Sequence, residues 1–145
     1  MHVEIIDKNL VLDIYGFSGT AINKDYAGTA FRLSGQMWQV VKSNNLDNKG
    51  LNIWVYEKNE KVFAGVELNG IPVPGTGLEQ KRINLIKYAY YKHIGPYTLI
   101  KQAGQKMRDE LNKSGLETVF PYIEIYGHWT KDETKLETEL LISLQ

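Results

Sequence analysis

The chain repeats itself at a spacing of about 70 residues, and this repetition constrains its fold more than any single segment does. Residues 29–38 align with residues 98–107 at an offset of 69, with Thr, Gly and Gln in common. Residues 53–56 align with 123–126 at an offset of 70, and residues 61–68 with 135–142 at an offset of 74. Three matches in the same order are typical of two copies whose loops have changed length. Two similar halves are therefore expected.

Each copy is predicted to run strand, helix, strand, strand. Hydrophobic periodicity in the first copy predicts a strand over 10–15, a helix from about 28 to 43, and strands over 53–57 and 62–68. In the second copy it predicts a strand over 81–93 that is bent or interrupted, a helix from 97 or 98 to about 112, and strands over 122–126 and 136–143.

The boundary between the copies is a segment rich in Pro and Gly, residues 71–77. A unit of about 70 residues with one helix would leave a sheet edge unprotected, so we expect both copies to share one domain. The prediction is an α+β domain over residues 1–145, with repeat one at about 1–70 and repeat two at about 78–145.

Composition narrows the functional classes. The chain has 145 residues, 43% of them hydrophobic, which is enough for a core. Its 17 basic residues balance 17 acidic ones without long blocks of either sign, which argues against nucleic-acid binding. Cysteine is absent, and no stretch has the composition of a signal peptide or a membrane span. We expect a cytoplasmic protein that does not associate with membranes.

The segment from Pro121 to Tyr126 alternates as a strand does. Ile123 and Ile125 point to one face, while Tyr122, Glu124 and Tyr126 point to the other. A carboxylate between two aromatic rings is unusual for a solvent face. It is typical of a wall that binds a flat, apolar or cationic ligand, although a solvated Glu is the simpler alternative.

The repeat extends this candidate site. Trp54 and Tyr56 correspond to Glu124 and Tyr126, so a pseudo-twofold axis would bring them to the same groove, unless they are ordinary sheet aromatics. Three further candidates lie on other elements. Tyr88 and Tyr90 lie on one face of a strand, and Trp38 lies halfway along the first helix. Periodicity does not decide whether the Tyr88 face or the Ala89 face points inward, and Trp38 is also suited to sealing the sheet.

The sequence carries no motif for a metal or a cofactor. His128 next to Trp129 has no second imidazole at ligand spacing, so no metal site is predicted. The glycines of residues 16–19 and 75–77 are too few and wrongly flanked for phosphate loops, and they are interpreted as turns. We predict that the protein uses no cofactor.

The segment His93-Ile94-Gly95-Pro96-Tyr97 after a strand, followed by a helix and by Tyr122-Ile123-Glu124-Ile125-Tyr126, resembles the GyrI-like small-molecule-binding family, the effector-binding domains of multidrug-responsive transcription regulators. The resemblance covers essentially the whole chain and is most specific in the second half. It implies a pseudo-twofold antiparallel sheet with both helices on one face and a concave ligand groove on the other. It also implies that the acidic residue facing the ligand is Glu124.

Three functions follow from these features. The first is a stand-alone protein that captures aromatic, lipophilic or cationic compounds, since no helix-turn-helix module is recognisable in the chain. The second is a cofactor-free hydrolase of electrophilic, cyclopropane-type compounds, in which Glu124 positions or activates water. The third is an inhibitory protein that binds a partner enzyme such as gyrase, for which the balanced charge gives little support.

Overall fold

A computed structural model describes all residues, 1–145, and both halves of the chain contribute to one antiparallel sheet of eight strands. In the first half the elements are β1 (Glu4–Ile6), β2 (Leu10–Thr20), α1 (Tyr26–Ser43), β3 (Asn52–Glu57) and β4 (Lys61–Val66). In the second half they are β5 (Glu79–Leu85), β6 (Tyr88–Ile94), α2 (Ile100–Lys113), β7 (Thr118–Tyr126) and β8 (Glu137–Leu144). Neither helix is long and apolar enough to cross a membrane.

The strand order is β1-β6-β8-β7-β3-β4-β2-β5, which reads the same in reverse when the two halves are exchanged. The predicted α+β class and pseudo-symmetric repeats are therefore confirmed. The predicted order of strand, helix, strand, strand lacked one strand in each half. The structure shows an additional strand at the start of each half, β1 in the first and β5 in the second. β1 has only three residues, too few for periodicity to reveal, and β5 was joined to β6 in the predicted strand over 81–93.

The pairing of β3 with β7 locates the pseudo-twofold axis. Trp54 pairs with Glu124 across these strands, and the same two residues are equivalent at the offset of 70. A residue pair that is also related by the repeat must lie astride the axis. The central position of the sheet is thus occupied by a tryptophan in one copy and a glutamate in the other.

Two of the sequence alignments need correction. Buried positions of α1 and α2 match at an offset of 70, as in Met37 with Met107 and Val41 with Leu111, whereas the predicted offset was 69. Gly35 is exposed and Gly104 is buried, so their identity was coincidental. Residues of β4 and β8 match at 76 rather than 74, because Ile53 pairs with Gly65 and Ile123 with Leu141.

The sheet is strongly curled. β1 and β2 lie six strands apart in the order, which is roughly 29 Å in a flat sheet, yet only three residues connect Ile6 to Leu10. A chain of that length spans at most about 14 Å. The connection from Leu85 to Tyr88 is shorter still. The two edges must therefore approach each other, and the residues that meet inside form the largest core cluster: Leu12, Ile14, Ile53, Val55, Phe63, Ile83, Leu85, Tyr88, Ile123 and Leu141.

Both helices pack on the outer face of this curled sheet. α1 buries Ala30, Leu33, Met37 and Val41 at helical spacing, and Asp25 caps its start by accepting a hydrogen bond from the Gly28 backbone N–H at 3.1 Å. α2 buries the equivalent stripe of Ile100, Ala103, Met107 and Leu111 against β6 and β8. The helices thus cover the face that carries Tyr122, Glu124 and Tyr126.

Candidate functional site

A groove of about 450 Å³ lies on the helix-bearing face of the sheet, between the beginnings of α1 and α2. The predicted position, on the face opposite the helices, was wrong because the inside of the curl is filled by the apolar cluster around Ile14 and Ile123. The groove is lined by Lys24, Asp25, Tyr26, Ala27, Tyr56, Tyr97, Ile100, Lys101, Gly104, Arg108, Phe120, Tyr122, Glu124 and Tyr126.

Glu124 forms the floor of the groove and is only 7% exposed. One carboxylate oxygen, Oε1, accepts hydrogen bonds from the hydroxyls of Tyr56 at 2.9 Å and Tyr126 at 2.8 Å. The other, Oε2, accepts one from the hydroxyl of Tyr122 at 2.8 Å. A buried carboxylate is costly unless its oxygens are hydrogen-bonded, and three phenolic donors meet that requirement.

The strand geometry explains how these four groups meet. Tyr122 and Tyr126 flank Glu124 two residues away on the same face of β7, and Tyr56 pairs with Tyr122 from β3. All three tyrosines have a raised pKa, caused first by burial and next by the negative charge of Glu124. Their hydroxyls therefore stay protonated at neutral pH and act as fixed donors to the carboxylate.

Aromatic rings enclose this centre. Tyr56 and Tyr122 are stacked with ring centroids 5.5 Å apart, and Tyr26 meets Tyr56 edge-on at 5.9 Å. On the other side, Tyr97 meets Tyr126 edge-on at 5.5 Å. Such edge-to-face and offset arrangements are the preferred geometries of aromatic pairs, so the walls are held in place by their own contacts.

Of the predicted site residues, the structure brings together Glu124, Tyr122, Tyr126 and Tyr56. Trp54 does not line the groove but supports it, because its ring lies 4.6 Å from that of Tyr126. Its indole N–H is buried without a hydrogen-bond partner.

Three predicted residues lie elsewhere. Tyr88 packs inside the curled sheet, and Tyr90 packs against the same cluster while donating its hydroxyl to Glu139 at 2.7 Å. Both are on the face opposite Glu124. Trp38 donates its indole N–H to Asn52, next to the hydrogen bond from Ser34 at 3.0 Å, and seals α1 onto the sheet.

Several lining residues were not predicted from the sequence. Tyr97 belongs to the Gly-Pro-Tyr motif that carried the family resemblance, so a signal for it was present. Arg108 is one repeat away from Trp38 at the corrected offset, and its guanidinium carbon lies 4.7 Å from the centre of the Tyr122 ring. Nothing in the sequence pattern singled out Lys24, Tyr26 or Lys101.

A larger cleft, of about 670 Å³, lies beside β2, β4 and β5, but only three of its 14 lining residues are hydrophobic. In this cleft Lys81 pairs with Glu57 at 2.7 Å and Glu79 accepts a hydrogen bond from the Ser18 hydroxyl at 2.6 Å, while Lys58 and Lys61 form no salt bridge. No group of three His, Asp or Glu side chains is arranged to hold a metal ion. The groove around Glu124 combines a buried carboxylate with aromatic walls, and it is the candidate site.

Comparison with solved structures identifies the fold. The chain is similar to the C-terminal domain of EcmrR, with a TM-score of 0.76 and 16% identity over 100% of this chain and 99% of that domain. It is also similar to SAV2435 bound to tetraphenylphosphonium, with a TM-score of 0.68 and 18% identity over 100% of this chain and 94% of that one.

The chain has the GyrI-like fold. A third structure with similarity to this fold is a hydrolase from Listeria innocua, with a TM-score of 0.58 and 13% identity over 99% of this chain and 91% of that one. No protein-family model and no curated protein sequence matches the chain.

Proposed function

We propose that this protein binds small molecules and captures aromatic, lipophilic or cationic compounds in the groove around Glu124. The observation that carries the proposal is the buried carboxylate, which three tyrosine hydroxyls hold on the floor of an aromatic cavity. A volume of about 450 Å³ suits a compact organic molecule, since ligand pockets typically range from about 300 to 1,000 Å³. The structural similarity to SAV2435, which holds tetraphenylphosphonium, supports the same ligand class.

The physical basis of capture is a combination of charge and ring contacts. A delocalised cation over the face of a tyrosine gains about 0.5–2 kcal/mol from each cation–π contact. The carboxylate adds a longer-range attraction in a site from which water is partly excluded. Rings accept many flat shapes, so we expect broad selectivity rather than recognition of a single compound.

The test is calorimetric titration of the protein with tetraphenylphosphonium chloride. We expect saturable binding of one cation per chain. Absence of saturation with a protein that shows a cooperative thermal unfolding transition would contradict the proposal.

A second candidate is a hydrolase that opens electrophilic compounds, as proposed from the sequence. It is supported by the similarity to the hydrolase from Listeria innocua and by the carboxylate flanked by tyrosine hydroxyls. Three hydrogen bonds already occupy most of the roughly four acceptor positions of Glu124, which leaves little room to hold an attacking water. This arrangement favours binding over hydrolysis.

Mass spectrometry separates the two candidates. The protein is incubated with a panel of aromatic cations and cyclopropane-type electrophiles, and the compounds are analysed afterwards. Unchanged compounds support a binder, whereas a hydrated product that is lost in Glu124→Gln supports a hydrolase.

A further inference from the structure

The charges that line the groove are arranged by depth. Glu124 lies buried on the floor, together with Tyr56 and Ile100. Lys24 and Lys101 are exposed and stand at the mouth of the groove, on opposite sides, since Lys24 precedes α1 and Lys101 lies in the first turn of α2. The groove therefore has an acidic floor and a basic rim.

Arg108 adds a third positive charge, which is less exposed than the two lysines. It is half-buried, and its guanidinium lies over the face of the Tyr122 ring at 4.7 Å from the ring centre. This contact holds the guanidinium and its N–H groups beside the groove. Those N–H groups are suited to bidentate recognition of a carboxylate or another planar oxyanion.

None of the three cations is neutralised by the protein. The four salt bridges in the structure involve other lysines, and none includes Lys24, Lys101 or Arg108. Asp25 is the one acidic group on the rim, and its carboxylate is engaged at the start of α1 by the Gly28 N–H. The rim thus has a net positive charge that a bound molecule could match.

We propose that the preferred ligand is an elongated zwitterion, with a cationic or hydrogen-bond-donating aromatic part on the floor and a carboxylate or similar oxyanion at the rim. This inference rests on the proposed function and specifies its ligand class. A compound with positive charge alone satisfies Glu124 but is repelled by the three rim cations. A compound with both charges satisfies the floor and the rim together.

Two dyes that differ in one group provide the test. Rhodamine 110 has a delocalised cation and a free carboxylate, and rhodamine 123 is its methyl ester, which retains the cation alone. Their affinities are measured by fluorescence anisotropy at low salt. We expect rhodamine 110 to bind at least about threefold more tightly, on the scale of one partly exposed ion pair.

Substitutions identify the source of this preference. We expect Arg108→Gln or Lys101→Gln to remove most of the preference by weakening rhodamine 110 binding relative to rhodamine 123 binding. Lys106→Gln is the matched control, because Lys106 is an exposed cation on the same helix but does not line the groove. It changes the net charge equally and should leave the preference intact.

The outcomes are distinguishable from a failure of the proposed function. Equal or tighter binding of rhodamine 123, with both affinities reduced in Glu124→Gln, overturns the zwitterion inference and leaves the capture function standing. Binding of neither dye overturns both. An equal effect of Arg108→Gln and Lys106→Gln assigns the preference to overall charge, and it also overturns the role of the rim.

Discussion

Replacing Glu124 with Gln is the most direct test of the site, because it removes the charge and nearly preserves the shape. The wild-type carboxylate accepts three tyrosine hydroxyls. In the variant, the amide oxygen can still accept two of them, and the amide NH₂ can donate to the third after its hydroxyl rotates. The variant loses charge-assisted hydrogen bonds, which destabilises the fold, but it no longer buries a charge, which stabilises the fold. We therefore expect the free energy of unfolding to change by less than about 2 kcal/mol.

The effect on ligand affinity should be selective for charge. A cation resting on a tyrosine ring would lie about 6 Å from the carboxylate, where the Coulomb attraction at an effective dielectric constant of about 20 is about 3 kcal/mol. Solvent in the open groove weakens this attraction, which leaves a loss of about 1–2 kcal/mol, or about five- to thirtyfold in affinity.

The assay compares tetraphenylphosphonium with neutral triphenylphosphine oxide by calorimetric titration. We expect Glu124→Gln to weaken binding of the cation and to leave binding of the neutral compound nearly unchanged. Glu139→Gln is the matched control, since Glu139 also accepts a tyrosine hydroxyl, from Tyr90 at 2.7 Å, but does not line the groove. Equal loss of affinity for both compounds, or the same behaviour of the two variants, would refute an electrostatic role of Glu124.

Three further predictions concern the support of the site. Gly104→Ala places a methyl group 3.3 Å from the Tyr122 hydroxyl, and we expect weaker tetraphenylphosphonium binding in calorimetry. The control Gly35→Ala meets nothing within 4 Å, and we expect it to raise the free energy of unfolding, measured by urea titration, by about 0.5–1 kcal/mol. Equal loss of tetraphenylphosphonium affinity in both variants would contradict the steric explanation. Tyr126→Phe removes one hydrogen-bond donor to the buried Glu124 carboxylate and should lower the free energy of unfolding by about 1–3 kcal/mol. In a double-mutant cycle, we expect most of this loss to be absent when Glu124 is already replaced by Gln. Burial, and then the charge of Glu124, raises the pKa of Tyr56, Tyr122 and Tyr126, so these tyrosines ionise at lower pH in the unfolded chain than in the folded one. The stability that the folded tyrosines contribute is therefore constant below pH about 10 and is lost above it. Urea unfolding measured across pH 8–12 would detect this loss.

Patterns local to one element gave correct predictions. The alternation over Tyr122–Tyr126 depends only on the two-residue period of a strand, and the structure shows that period with Ile123 in the core and Glu124 in the groove. The helices were placed by apolar spacing to within a few residues. These signals hold because strand and helix periods are set by the backbone and do not depend on the partner element.

Features that depend on how helices and strands pack against each other could not be predicted from the sequence pattern of one element. The identity of Gly35 and Gly104 shifted the helix alignment by one residue, because a glycine carries no information about which side of a helix is buried. Tyr88 and Tyr90 alternate as clearly as Tyr122 and Tyr126 do, yet they point into the curled sheet. Both faces of the sheet are covered, so alternation does not distinguish the ligand side from the core side.

The direction in which the sheet curls was the decisive unknown. Short connections at 7–9 and at 86–87 force the edges together, but only the strand order shows that those connections span six strands. Once the curl is known, the inside must be filled by the apolar face and the helices must lie outside. The groove then has to be a gap between the helices rather than the hollow of the sheet.

Departure from the pseudo-twofold symmetry explains why this gap is a site. Equivalent positions around the axis have diverged in the two copies: Ser34, Trp38, Asn52 and Trp54 in the first correspond to Gly104, Arg108, Tyr122 and Glu124 in the second. In the first copy, the serine and the tryptophan both donate to the asparagine and close α1 onto the sheet. In the second copy, the glycine leaves space above the tyrosine, the arginine lies over its ring, and the glutamate supplies charge. Duplication thus accounts for the scaffold, and the chemistry of the groove arises where the second copy lacks the polar seal that is present in the first.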